Sequence, residues 1–130
     1  MAGLTTAEAQ ATLDARFPTT GGTDHVAYST NGTSEFAGLA RTAIGATGWA
    51  AATSADPSVK ANANALTSAA ATATTSNATI YYAIYSAATN GTQRTDWTAL
   101  TDNAGNARTF TLAVGDQITV AAGKITVTLT

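Results

Sequence analysis

Short strand-like segments separated by turn signals run through most of this 130-residue chain. From residue 23 onward, stretches rich in alternating apolar and polar side chains are interrupted by Gly, Asn, Asp or Pro. The turn signals recur about every eight to twelve residues, which is typical of all-β sandwiches and barrels. Strands and helices do not alternate, and this argues against a doubly wound sheet. The sequence therefore predicts an all-β fold, an antiparallel β-sandwich of the jelly-roll or immunoglobulin-like type.

The predicted strands cover residues 25–30, 39–44, 77–87, 95–100, 108–112, 117–121 and 124–129, with one more around Trp49 and one within 65–76. Segment 77–87 has the clearest pattern, because apolar side chains occupy both of its faces. Such a strand is expected at the centre of a sheet, covered on each side. Residues 52–64 are rich in Asn, Asp and Pro, and they are predicted to form a long loop.

One short helix is predicted at residues 4–17. Thr5 and Glu8 match a capping box, and Leu4 occupies the staple position before it. A narrow apolar stripe follows at i, i+4 and i+8, formed by Ala9, Leu13 and Phe17. The stripe must pack on its own domain or on a neighbouring subunit. We expect residues 1–22 to form an N-terminal helix and linker arm, and residues 23–130 to form the β-sandwich domain.

The composition is dominated by 31 Ala and 27 Thr, whereas Leu, Ile, Val and Phe together number only 20. A small domain with so few large apolar side chains has a thin stability margin. It gains stability when it buries surface against a neighbour. The composition thus favours a subunit of a larger assembly, which self-associates or binds a partner.

Several functional classes are disfavoured by charge and residue type. The net charge is −2 with only 11% charged residues, so we expect no binding to nucleic acid. No apolar run has the length of a membrane span, and we expect no membrane association. The chain has no Cys and a single His, His25, whose sequence neighbour Asp24 would point to the opposite face of a strand. Segment 102–106 resembles a hairpin loop more than a calcium loop. We therefore predict no enzymatic activity, no cofactor and no metal site.

The aromatic residues allow two interpretations. Trp49, Trp97 and the tyrosines at 81, 82 and 85 could form a platform for sugar rings, as in a small carbohydrate-binding module. The simpler interpretation places them in the core of a sandwich. For contacts with a partner, the candidate residues are Leu4, Leu13, Phe17, Trp49 and Trp97.

The order of features along the chain resembles a known family. The features are the capped helix ending in Phe17-Pro18, the strand ending in Tyr28-Ser29-Thr30, Leu39-Ala40-Arg41, Trp49, the strand 80–89, Leu100, Gly115-Asp116 and the closing segment 121–129. They resemble small virion proteins of actinobacterial tailed phages, which are usually labelled minor tail or tail-fibre-like proteins. The resemblance spans most of the chain, is strongest from Thr79 onward and departs most in region 52–76.

The resemblance implies a non-enzymatic structural role in the virion, after assembly in the host cytoplasm. A capsid decoration (minor capsid) protein is small, has one domain and binds in many copies, whereas a receptor-binding fibre usually needs a shaft and a tip. We therefore expect a decoration protein that binds the lattice of the major capsid protein on the outer surface of the head. It is also expected to self-associate, for example as a trimer. A minor tail or tail-fibre protein is the alternative, and a free carbohydrate-binding module is the alternative from another class.

Overall fold

Antiparallel strands and one short helix make up the computed structural model, which describes residues 3–102 and 104–129. Its elements are α1 (Thr6–Arg16), β1 (His25–Ser29), β2 (Thr42–Ala43), β3 (Ser58–Ala61), β4 (Leu66–Thr67), β5 (Ala78–Thr79), β6 (Tyr81–Tyr85), β7 (Thr98–Ala99), β8 (Thr109–Phe110), β9 (Thr119–Val120) and β10 (Thr126–Leu129). The strand-rich, antiparallel architecture with an N-terminal helix confirms the general class predicted from the sequence.

The largest sheet has four strands in the order β2-β1-β6-β7. Its central pair is β1 and β6, which run antiparallel from His25 opposite Tyr85 to Ser29 opposite Tyr81. The other described strands form three antiparallel pairs, β3 with β10, β4 with β9 and β5 with β8. The prediction of a central strand within 77–87 is confirmed by β6, which has a partner strand on each side.

Side chains alternate between the two faces of the four-stranded sheet, and one of these faces packs against the core. Val26 and Tyr28 of β1 and Tyr82 and Ile84 of β6 are buried there. The core cluster continues through the rest of the domain with Leu39, Ile44, Trp49, Leu66, Ile80, Leu100, Leu112, Ile118, Val120 and Ile125. Most of the few large apolar residues of the chain are thus gathered into one cluster, and small residues such as Ala27 and Ala83 fill the remaining buried positions of the sheet.

Helix α1 begins at a capped end and packs on its own chain. Thr5 is the N-cap, and its Oγ1 accepts a hydrogen bond from the backbone N–H of Glu8 at 3.2 Å. The helix lies against β3 and β10, and Leu13 and the following Phe17 join the core cluster. Of the two docking partners that the sequence left open, the structure shows the helix on its own domain. The proposed boundary at residues 22 and 23 stays a prediction, although the helix shares a core with the strands.

Strand β3 corrects the prediction that residues 52–64 form only a loop. Its alternate residues Ser58 and Lys60 are buried although they are polar. The Ser58 hydroxyl donates to the Thr53 carbonyl at 2.7 Å, and the Lys60 ammonium donates to Asp14 Oδ1 at 2.6 Å. Buried polar groups need such partners. The strand was missed because its buried face is polar, and its hydrogen-bonding partners lie elsewhere in the chain.

Other predicted strands are divided or shortened, among them 95–100, 108–112 and 117–121, which are reduced to the two-residue strands β7, β8 and β9. Segment 77–87 becomes β5 and β6, because the chain leaves the pair with β8 and enters the four-stranded sheet at Ile80. Segment 39–44 is reduced to β2.

Asn90 and Gly91, a pair of residues typical of turns, have positive φ angles of 55° and 72°. In the turn at 102–106, Asp102 Oδ1 accepts from the N–H groups of Ala104 and Asn106, whereas Asn103 lies outside the described residues.

Candidate functional site

Three of the five residues predicted to contact a partner lie in the core. Leu13, Phe17 and Trp49 are only 3%, 6% and 2% exposed, so they are enclosed by their own chain. For these three the predicted role as interface residues is corrected, because their apolar surface is already covered when α1 docks on the domain. Leu4 is 45% exposed and Trp97 is half-buried, so both remain accessible.

The ion pair between Asp24 and Arg94 lies at the C-terminal end of α1, beside Trp49. The Phe17 and Trp49 rings pack edge-on with centroids 5.5 Å apart, and the indole N–H of Trp49 donates to Asp24 Oδ2 at 3.1 Å. The Arg94 guanidinium binds the other oxygen of Asp24, lies 4.7 Å above the Phe17 ring and donates to the carbonyl of Arg16. A cation at the C-terminus of a helix is favourable. Asp24 and Arg94 therefore have structural roles that sequence reasoning did not assign.

Partly exposed aromatic side chains occupy the outer face of the four-stranded sheet. Tyr81 and Tyr85 alternate with the buried Tyr82 and Ile84 and so point away from the core. Since Tyr81 lies opposite Ala99, Trp97 is directed to the same outer face. The rings of Tyr85 and Trp97 are 6.2 Å apart and tilted by 50°. We call Tyr81, Tyr85 and Trp97 the outer aromatic face.

Arg41 covers one side of this face. Its guanidinium lies 3.9 Å from the centre of the Tyr85 ring, a cation–π contact. It is held by two 2.9 Å hydrogen bonds to Glu35 and by bonds to the carbonyls of Ala87 and Asn90. The hydrogen bond with Glu35 raises the pKa of Arg41 above its usual value. Among residues 3–102 and 104–129, a cation lies over the Tyr85 ring but none lies over the Trp97 ring.

An open groove of about 640 Å³ lies beside Trp97, between segment 93–98 and β10. Polar side chains line it, among them Gln93, Asp96, Thr98, Thr126 and Thr128. Gln93 also joins the groove to the outer aromatic face, because its Oε1 accepts a hydrogen bond from the Tyr85 hydroxyl at 3.2 Å. Sequence reasoning selected Trp97 but missed the groove, which depends on how segment 93–98 and β10 are brought together.

The candidate residues for catalysis and metal binding are not grouped into a site. His25 lies opposite Tyr85 in the sheet, and its Nδ1 is 2.8 Å from the Thr23 carbonyl. Within residues 3–102 and 104–129, no three His, Asp or Glu side chains are grouped so that they could hold a metal ion. In the same residues, no helix is long and apolar enough to cross a membrane.

Most of the basic side chains are directed at groups of their own chain. Arg41, Lys60 and Arg94 form ion pairs with Glu35, Asp14 and Asp24. Arg108 donates to the Thr119 carbonyl, and Lys124 donates to the Asp102 carbonyl. Five of the six basic residues of the chain are therefore engaged internally, and the surface around them is rich in Ala, Thr and Ser.

Comparison with protein-family models, with curated proteins and with solved structures finds no significant match to this chain.

Proposed function

We propose that this chain is a non-enzymatic structural subunit of a phage virion, and that many copies decorate the outer surface of the capsid. The observation that supports this proposal is the low surface charge: most basic side chains bond within the chain, and the surface is mainly small uncharged residues with a few exposed carboxylates. Such a surface is suited to close packing against neighbouring subunits, because little charge must be desolvated. The resemblance to small actinobacteriophage virion proteins points in the same direction.

For the fold we propose a β-sandwich of the jelly-roll or immunoglobulin-like type, with the four-stranded sheet as one layer. The contact that supports a second layer is made by Tyr82. Its hydroxyl leaves the inner face of β6 and forms 3.1 Å hydrogen bonds with the carbonyl and the N–H of Thr126 in β10. Ile125 beside it is fully buried in the shared core. These contacts support a sandwich in which the pair β3–β10 packs against the four-stranded sheet as the facing layer.

The proposed partner is the lattice of the major capsid protein, with self-association, for example as a trimer, on that lattice. Leu4 and Trp97 are the members of the predicted interface set that the folded chain leaves accessible. A minor tail or tail-fibre protein is the alternative location within the virion, since a neutral surface also suits packing in a tail. The chain in either role would be located in the virion.

Copy number and location separate the two roles. The experiment compares the ratio of this chain to the major capsid protein in whole virions and in heads purified without tails, by quantitative mass spectrometry of labelled peptides. A decoration protein gives a ratio near that of a lattice component, and the ratio is unchanged in tail-less heads. A small ratio that disappears with the tails would contradict decoration and support the tail alternative. Absence from both particles would contradict a virion role.

A further inference from the structure

The groove beside Trp97 and the outer aromatic face together have the composition of a sugar-binding site. Aromatic rings pack well against the C–H groups on one face of a sugar ring, because the π-face is negative and apolar. Hydroxyl, amide and carboxylate groups supply the donors and acceptors that sugar hydroxyls require. Here the half-buried Trp97 lies beside the groove, whose lining includes Asp96, Thr98 and Gln93. Its volume of about 640 Å³ is within the range of small-molecule sites.

We propose that this edge binds a neutral oligosaccharide. One sugar unit stacks on Trp97, and the next enters the groove and forms hydrogen bonds with Asp96, Gln93 and the threonine hydroxyls. A second unit is required to fill the groove, because Trp97 is not among the residues that line it. The ligand class is therefore a chain of at least two units. This inference goes beyond the proposed virion role and does not depend on where in a virion the chain lies.

Charge selects the class of sugar. The Asp96 side chain is an exposed carboxylate, so it disfavours acidic sugars. Arg94 also lines the groove, but its guanidinium is paired with Asp24 and with the carbonyl of Arg16. It is therefore not available to neutralise a carboxylate or phosphate of a ligand.

An extended peptide is the competing occupant, because β7 and β10 are both edge strands that could pair with another strand. β7 is the last strand of the four-stranded sheet, and β10 pairs only with β3 among the described strands. Addition of a strand requires the outward N–H and C=O groups of alternate residues along the edge. On β10 these groups of Thr126 are already bonded to the Tyr82 hydroxyl. The edge of β10 is therefore interrupted for backbone pairing, whereas its threonine side chains still line the groove. At the edge of β10 the structure therefore favours a sugar over a peptide.

The test uses the full chain and di- to hexasaccharides of glucose, galactose, mannose and N-acetylglucosamine, with oligogalacturonates as the acidic comparison. Tryptophan fluorescence reports binding, because Trp97 is half-buried while Trp49 is in the core. We expect at least one neutral series to bind, with affinity that rises from one sugar unit to two, and the acidic series to bind more weakly. No binding by any neutral series, or tighter binding of oligogalacturonates, would overturn the proposal.

Variants identify the site. Trp97→Ala and Asp96→Ala should each weaken binding by about tenfold or more, since truncation of a central contact costs upward of about 1.4 kcal/mol. Trp97→Phe should retain part of the affinity. Asp56→Ala is the matched control, because Asp56 is an exposed carboxylate in the segment before β3 and should leave binding unchanged. Circular dichroism verifies that each variant is folded, and a folded Asp96→Ala protein with full affinity would overturn the proposal even if Trp97→Ala unfolds.

The same variants separate this site from attachment to the particle. Virions that carry the Asp96→Ala chain should retain their full copy number of it while the purified protein loses sugar binding. If the copy number falls and the unaltered protein binds no neutral sugar, the groove belongs to the contact with the capsid and the sugar site is overturned. A loss of sugar binding at a normal copy number supports the site whatever the outcome of the location experiment.

Discussion

At the scale of single residues, the most unusual feature is a lysine with no exposed surface. Lys60 is 0% exposed, and its ammonium donates to Asp14 Oδ1 at 2.6 Å. The same oxygen accepts the backbone N–H of Ala52 at 2.9 Å. The hydrogen bond from Lys60, followed by that from Ala52, lowers the pKa of Asp14 below its usual value. One carboxylate thus satisfies a buried cation and a backbone donor, and it links α1 to β3.

Removal of this carboxylate should destabilise the fold. For Asp14→Ala we expect the free energy of unfolding at pH 7 to fall by about 1–3 kcal/mol, because a buried ammonium and an N–H group lose their acceptor. A double variant, Asp14→Ala with Lys60→Met, should recover part of the loss, since the buried charge is also removed. Urea unfolding measures all three proteins. An Asp14→Ala protein as stable as the unaltered chain would contradict this role.

The same pair predicts a pH dependence. A carboxylate whose pKa is lower in the folded state stabilises the fold fully above its unfolded value, about 3.9, and loses that contribution as the pH falls through the folded value. The stability difference between the unaltered chain and Asp14→Ala should therefore be constant near pH 7 and shrink below about pH 4. A difference that grows as the pH falls would have the wrong sign for this ion pair.

At the scale of elements, the helix is the part that the sequence predicts best. Its cap and its apolar stripe depend only on neighbours in sequence, and both are observed. Strand β3 could not be predicted, because the burial of Ser58 and Lys60 depends on acceptors that folding brings to them. The candidate site also combines a residue that the sequence indicates with contacts that only the folded chain creates. Trp97 was selected from its residue type, whereas the contacts of Arg41 and Gln93 with Tyr85 exist only once the strands are in register.

The docking of α1 on its own domain leads to a prediction with a control in the same segment. Leu13 is buried in the core and Leu4 is 45% exposed. Leu13→Ala should lower the free energy of unfolding by about 2–5 kcal/mol through lost burial and a cavity. Leu4→Ala should change it by less than about 0.5 kcal/mol, as at other exposed positions. Thermal and urea unfolding of the full chain test both. Equal small effects would show that the helix does not pack on the domain in solution.

At the scale of the whole molecule, the composition and the charge pattern together determine which residues form the surface. Most of the large apolar residues lie in one core, and five of the six basic residues bond within the chain. The outward surface is therefore rich in Ala, Thr and Ser, and its few charges are mostly those of exposed Asp and Glu side chains. A lattice contact built from such a surface depends on close packing and on the burial of small groups rather than on ion pairs.

Attachment to the particle should accordingly depend little on ionic strength. Between about 0.1 M and 1 M NaCl the screening length falls from about 10 Å to about 3 Å, which weakens contacts between exposed charges. Under the proposed function, most copies should remain bound across this range, whereas ammonium sulfate should strengthen attachment because sulfate favours burial of surface. Sedimentation of particles followed by quantification of bound and free chain measures both. Release of most copies by NaCl at the lower end of the range would show that ion pairs hold the chain, because packing between uncharged surfaces has no term that a simple salt can screen.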